Sequence, residues 1–185
     1  MNKSRLIISI AMGAVIAGLL VVSVMNFVYR ADFDTGAMMA DDIKKLARIF
    51  DEINKTAGIV SFDHQQNVIN FLTIGSFTGS EVGSMNLAYP AKWKGHYVKD
   101  NPEIQGKEYM VVRTKKGYFI TPGNEVKLPN GAIIGQTLIL DENADIQAMM
   151  ADRNKLYFHG RVLAAPITIR GSNNGQFADA WRMEN

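Results

Sequence analysis

Apolar positions along the chain change period three times. Leu6 to Tyr29 is an unbroken run of 24 residues without a charge, closed by Arg5 and Arg30. As a helix it would extend about 36 Å, enough for a bilayer core of about 30 Å with some tilt. From Met39 the pattern becomes one-faced. Met39, Ile43, Leu46, Phe50, Ile53 and Ala57 follow one another at spacings of four and three, and Asp41, Asp42, Lys44, Lys45, Arg48, Asp51, Glu52 and Lys55 take the opposite side. That is an amphipathic helix over 39–57. Asp41 and Asp42 in its first turn and Lys55 in its last would complement the helix dipole, and Gly58 is a stop signal. The stripe lasts under three heptads, which favours packing on the chain's own sheet over a two-chain coiled coil.

The joint between the two patterns, Ala31 to Ala37, contains only Gly36 as a weak point. Either residues 5–57 form one continuous helix, or Gly36 marks a bend with Asp34 or Thr35 capping the second piece. Residues 59–90 are less periodic: 68–74 suit a short helix or strand, and 75–84 form a Gly/Ser-rich loop. From residue 107 a period of two takes over. Strands are expected at Tyr109–Thr114 and Tyr118–Thr121 around a turn at Lys115-Lys116-Gly117. Further strands are expected at Glu125–Leu128 and Ala132–Leu140 around Asn130-Gly131. A short helix over Asp141–Asn154 and a last hairpin, Leu156–His159 with Val162–Ile169, complete an antiparallel meander. The expected class is α+β, with the N-terminal helix covering an antiparallel sheet.

Five segments result: a short N-terminus (1–5), a transmembrane helix (6–29), a juxtamembrane and amphipathic helix (30–58), a β-rich domain (59–170) and a polar tail (171–185). The apolar run exceeds a secretory h-region and ends in Val24-Met25-Asn26-Phe27-Val28-Tyr29, without a small-x-small cleavage site, so it reads as an uncleaved anchor. Lys3 and Arg5 precede it without an acid, whereas Asp32, Asp34, Asp41 and Asp42 follow. The positive-inside rule places the N-terminus in the cytoplasm and the domain on the far side of an inner membrane. Inside the run, Gly13/Ala17 and Ala14/Gly18 are small pairs four residues apart, a spacing that lets another helix approach.

A net charge of +2 does not suggest a nucleic-acid binder. The chain has no cysteine, which excludes thiol catalysis and Cys-based metal sites. His64, His96 and His159 are scattered singly, and no nucleophile-elbow, phosphate-loop or dinucleotide motif occurs, so no enzyme is expected. Two constellations remain. Asp141, Asn143 and Asp145 present oxygens at alternate positions, as at the start of a calcium loop, although Ile146 stands where the loop's glycine belongs. Helix capping by Asp141 or Asn143 is the alternative. Residues 92–116 interleave Lys92, Lys94, Lys99, Lys107, Arg113, Lys115 and Lys116 with Trp93, Tyr97 and Tyr109. This suits either a solvated sheet face with the aromatics in the core, or contact with DNA, anionic lipid or an acidic partner.

A membrane helix running into an amphipathic helix, then a loop and an antiparallel sheet, resembles the plan of type IV pilins and pseudopilins. Trp93-Lys94-Gly95-His96-Tyr97, followed by Pro102, Gly106 and Tyr109, is similar to a motif of the major pseudopilin of type II secretion systems. His96 replaces a proline and the second tryptophan is absent. The resemblance implies a structural subunit of a secretion or type IV filament-type envelope assembly, with other subunits, or copies of itself, as partners. It also implies calcium bound late in the sheet domain, near Asp141–Asp145, and contact or packing roles for Trp93 and Tyr97. Trp181, a large apolar group in the tail, is a further contact candidate. Ser4-Arg5-Leu6 is no prepilin junction, and Leu6–Tyr29 contains no acid. These departures leave a second expectation, a signal-anchored periplasmic scaffold or regulatory protein that does not form filaments.

Overall fold

The computed structural model describes residues 3–170, with side chains from Met12 onward. It divides into two compact units, 1–35 and 36–185, and one helix, α1 (Lys3–Thr56), contributes to both.

In the first unit the stretch Leu6–Tyr29 carries no charge on any side. The described large apolar side chains of α1 there are exposed, from Phe33 at 39% to Phe27 at 75%. Its most apolar 18-residue window has a mean hydropathy of 2.0 with none of it buried, and the helix is long and apolar enough to cross a membrane. No cap interrupts it at Asp34 or Thr35. The Thr35 hydroxyl instead donates back to the Ala31 carbonyl at 2.8 Å, as a mid-helix threonine does.

The second unit holds the core. Met39, Ile43, Leu46, Phe50, Ile53 and Ala57 are all buried, as their spacing predicts. Because α1 begins at Lys3, Asp41 and Asp42 do not occupy a first turn, and the dipole reading of these residues is corrected. Asp42 instead accepts a hydrogen bond from the Tyr109 hydroxyl at 3.0 Å. Gly36 is not a bend either. A Cβ there would lie 2.8 Å from Phe158 Cδ1 and 3.2 Å from Pro129 Cγ, so its missing side chain is what allows this close approach. The helix ends as expected at Gly58, whose φ of +69° suits glycine, with its N–H on the Ile53 carbonyl.

The fold is α+β, and among the described residues the named strands all pair antiparallel. β1 (Ile59–Phe62), β3 (Glu81–Val82) and β4 (Met85–Leu87) make a three-stranded sheet in the order β1-β4-β3. β2 (Gln66–Val68), β7 (Met110–Thr114), β8 (Gly117–Thr121) and β11 (Ala165–Ile167) make a four-stranded sheet in the order β11-β8-β7-β2. β5 (Glu103–Ile104) pairs with β6 (Lys107–Glu108), and β9 (Tyr157–Phe158) with β10 (Arg161–Val162). The β7–β8 hairpin falls where its period predicts. Thr114 closes it by donating to the Gly117 carbonyl and accepting from the Lys116 N–H.

The rest is not a meander, because β7 and β8 are flanked by strands from distant parts of the chain. Asn67 anchors the early one, β2. Its buried amide donates to the His64 and Val111 carbonyls and its oxygen accepts from the His64 N–H. Glu125–Leu128 and Ala132–Leu140 are not strands. They meet through the isolated bridge Lys127 to Ile133, and a second bridge, Ile134 to Leu138, lies within the later segment. Gly135 at φ +80° and the Thr137 hydroxyl, bonded to the Ile133 N–H at 2.7 Å, fold that segment back on itself. The helix expected over Asp141–Asn154 shortens to α2 (Ile146–Met149). The last hairpin splits, so that β9–β10 stands apart and β11 joins β8.

The core is continuous from α1 to both larger sheets. Phe50 lies 6.1 Å from Phe62 of β1, centroid to centroid, and 6.3 Å from Phe71. Each such buried side chain contributes about 1.5–3 kcal/mol.

Candidate functional site

Gly13, Ala14, Ala17 and Gly18 all lie on the exposed part of α1. Nothing approaches within 4 Å of a Cβ built at Gly13 or Gly18. A second helix could come close to the backbone there, which is how small residues act in membrane helix pairs.

Trp93 and Tyr97 follow a 3-10 turn at Pro90–Lys92 and are half-buried against the core. The Trp93 indole N–H donates to the Ile74 carbonyl at 2.9 Å. Its ring meets Phe77 and Tyr97 edge-on, at 5.6 and 4.8 Å. The Tyr97 N–H donates to the Leu72 carbonyl at 2.9 Å, and its hydroxyl accepts from the Lys94 N–H at 3.3 Å. Gly95 lets the two loops touch, since a Cβ there would sit 2.1 Å from the Ile74 oxygen. The Trp93–Tyr97 motif therefore clamps residues 93–97 onto the loop at 71–75.

Asp141, Asn143 and Asp145 form a turn and a cap. Asp141 accepts from the Asn143 N–H at 2.9 Å, and Asp145 accepts from the Ala148 N–H at 3.1 Å as the N-cap of α2. The cap is thus Asp145 rather than Asp141 or Asn143. Two cations from the β7–β8 turn hold the Asn143 oxygen and the second Asp145 oxygen. Lys115 reaches Asn143 Oδ1 at 2.6 Å, and Lys116 pairs with Asp145. The Lys116 hydrogen bond, followed by the Ala148 N–H, keeps the Asp145 carboxyl below the usual carboxylate range. Among the described residues no group of three His, Cys, Asp or Glu converges. Arranged this way, Asn143 and Asp145 serve lysine pairing and Asp145 serves capping. Trp181 lies outside the described residues.

The basic residues of 92–116 do not form one face. Lys107 pairs with Glu125 at 2.5 Å, and Lys115 and Lys116 are taken up at the α2 cap. Lys92 and Lys94 instead border two adjoining hollows of about 420 and 430 Å3 that share Lys55, Thr56 and Lys92. Sequence reasoning missed this grouping. It is completed by Arg170, whose guanidinium donates to the Tyr89 hydroxyl at 2.7 Å across 81 residues of chain. That contact holds the Tyr89 phenol below its ordinary value. Tyr89 and Arg170 carry no periodic signal; only the cluster of lysines after residue 91 hinted at the surface.

No protein-family model, curated protein or solved structure matches the chain.

Proposed function

We propose that this protein is a membrane-anchored structural subunit, pilin- or pseudopilin-like, of a secretion or filament-type envelope assembly. In this reading residues 6–29 cross the inner membrane with the N-terminus in the cytoplasm and the domain in the periplasm or beyond. One observation carries the reading: a single helix passes from an all-round apolar segment, exposed at every large side chain described, into a one-faced stripe buried in an α+β core. The first half supplies an anchor with an approachable small-residue face, and the second belongs to the core of the domain. In this reading the protein works by position and contact.

A second reading is favoured by a specific feature of the anchor. Leu6–Tyr29 contains no acid, and an acid in a membrane helix is the kind of group through which neighbouring subunits are paired. On this reading the chain is a scaffold or regulator of an inner-membrane complex that does not polymerise.

Cysteine cross-linking separates the two. The chain has no cysteine, so single substitutions at Gly13 or Ala17 report without background. A ladder of cross-linked species in native membranes supports the filament subunit. A dimer or a monomer band alone rejects it in favour of the scaffold.

A further inference from the structure

Tyr89 leaves β4 for the surface and remains 45% exposed. Two cations share its ring. Lys92 Nζ lies 4.8 Å from the centroid and the Arg170 guanidinium carbon 5.2 Å, so the two charges are within about 10 Å of each other. Lys55, in the last turn of α1, and Lys94 extend the same groove, with Trp93 at its far end. Lys55 is paired, with Asp51 at 2.7 Å. Among the described residues Lys92, Lys94 and Arg170 have no carboxylate partner. Like charges gathered on an aromatic ring repel one another, and an anion lying in the groove would relieve that repulsion.

We propose that this groove is a docking site for an acidic segment of a partner protein. Carboxylates of the segment would face Lys92, Lys94 and Arg170, and an apolar or aromatic side chain would lie against the Tyr89 and Trp93 rings. A few charges flanking aromatic surface suit peptide recognition, in which charge sets register and rings supply contact area. A nucleic acid or an anionic bilayer is held by broader and unbroken positive surface. Here the groove has four cations, Asp51 stands at its border, and the whole chain carries only +2. The proposal goes beyond the anchor reading and does not depend on whether the chain polymerises, because the groove belongs to the domain alone.

Fluorescence anisotropy on the full chain in detergent tests it. The probe is a labelled peptide of alternating glutamate and serine with a central phenylalanine, compared with the same peptide carrying glutamine for glutamate. The acidic peptide should bind, and binding should weaken as salt rises. Lys92→Glu with Arg170→Glu should weaken it at least about tenfold, and Arg170→Gln alone by a smaller factor in the same direction. Lys127→Glu, an exposed cation outside the groove, should leave affinity within about twofold. All three positions are exposed, and an unchanged melting temperature verifies that the variants fold. Equal binding of the glutamine peptide, equal loss on Lys127→Glu, or stronger competition by a single-stranded oligonucleotide would overturn the proposal.

Discussion

Phe27 and Phe50 belong to one helix, yet the first is 75% exposed and the second 1%. Met25 and Met39 differ in the same way, at 68% and 0%. The backbone does not distinguish these places; the arrangement of neighbours around the helix does. Around Phe27 every side of the helix is apolar, so no side is left for water and none is specified for protein. Around Phe50 the apolar groups fall on one line, with Asp51, Glu52 and Lys55 opposite, and a single orientation satisfies both. Apolar surface on the scale of the first half is incompatible with free solvation and calls for a bilayer or partner helices. The contrast assigns a different partner to each half: apolar surroundings for the first, the chain's own sheets for the second.

The contrast breaks most visibly if charge is placed in the first half. Leu19→Arg with Val22→Arg should raise the cost of membrane insertion by about 5–7 kcal/mol. The carbonate-resistant membrane fraction should collapse, while the domain's urea midpoint in detergent stays unchanged. Retention of the double variant in membranes would remove the anchor from the account.

The reciprocal change is Phe50→Ala, with an expected loss of about 3–5 kcal/mol in urea unfolding of the detergent-solubilised chain. Phe27→Ala should leave that midpoint where it is. Comparable losses from the two would mean that Phe27 is packed in the folded domain and that the two halves do not differ.

How much of this was legible in the sequence depends on how local the cause was. The buried stripe, the Gly58 stop and the β7–β8 hairpin each follow from residues within one or two turns of one another. Gly36 was read as a weak point because its neighbour Phe158 is remote in sequence, and Asp42 was read as a helix-dipole residue because its partner Tyr109 lies 67 positions away. Ala132–Leu140 was read as a strand from the apolar run that follows the Asn130-Gly131 turn signal. A threonine hydroxyl and a left-handed glycine decided otherwise, and neither alters hydropathy. Of the candidate site, Trp93 and Tyr97 stood out as residues but not in their role as a loop clamp. The groove was invisible because Lys55, Tyr89, Lys92 and Arg170 come from three separate stretches of chain.

A smaller effect probes how the second half is tied down. Tyr109 is fully buried and donates to Asp42 of α1, and Tyr109→Phe should cost about 1.5–3 kcal/mol by leaving that carboxylate without its donor. The same pair gives a pH signature. Burial, then the nearby Asp42 charge, pushes the Tyr109 phenol far above its ordinary value. In the unfolded chain the phenol ionises near pH 10. The folded state therefore retains a proton that the unfolded state has lost, and stability must fall as pH rises beyond about 10. Urea midpoints measured from pH 8 to 11 should show this fall in the parent and a shallower one in Tyr109→Phe. Parallel slopes would mean that the phenol is not shielded.

The smallest effect lies on the polar side of the same turns. Lys55 pairs with Asp51 at 2.7 Å, but its side chain is 74% exposed, and an exposed pair one turn apart contributes only about 0.3–0.5 kcal/mol. Lys55→Ala should shift the urea midpoint by no more than this, and less still in high salt, where the pair is screened. The value of the measurement is its contrast with Phe50→Ala, five residues earlier on the same helix. If burial of the stripe is what holds the second half, the two variants must differ several-fold. A loss at Lys55 approaching that at Phe50 would mean that charge pairing, not the apolar stripe, fixes this half of α1, and the distinction between its two halves would have to be redrawn as one of charge.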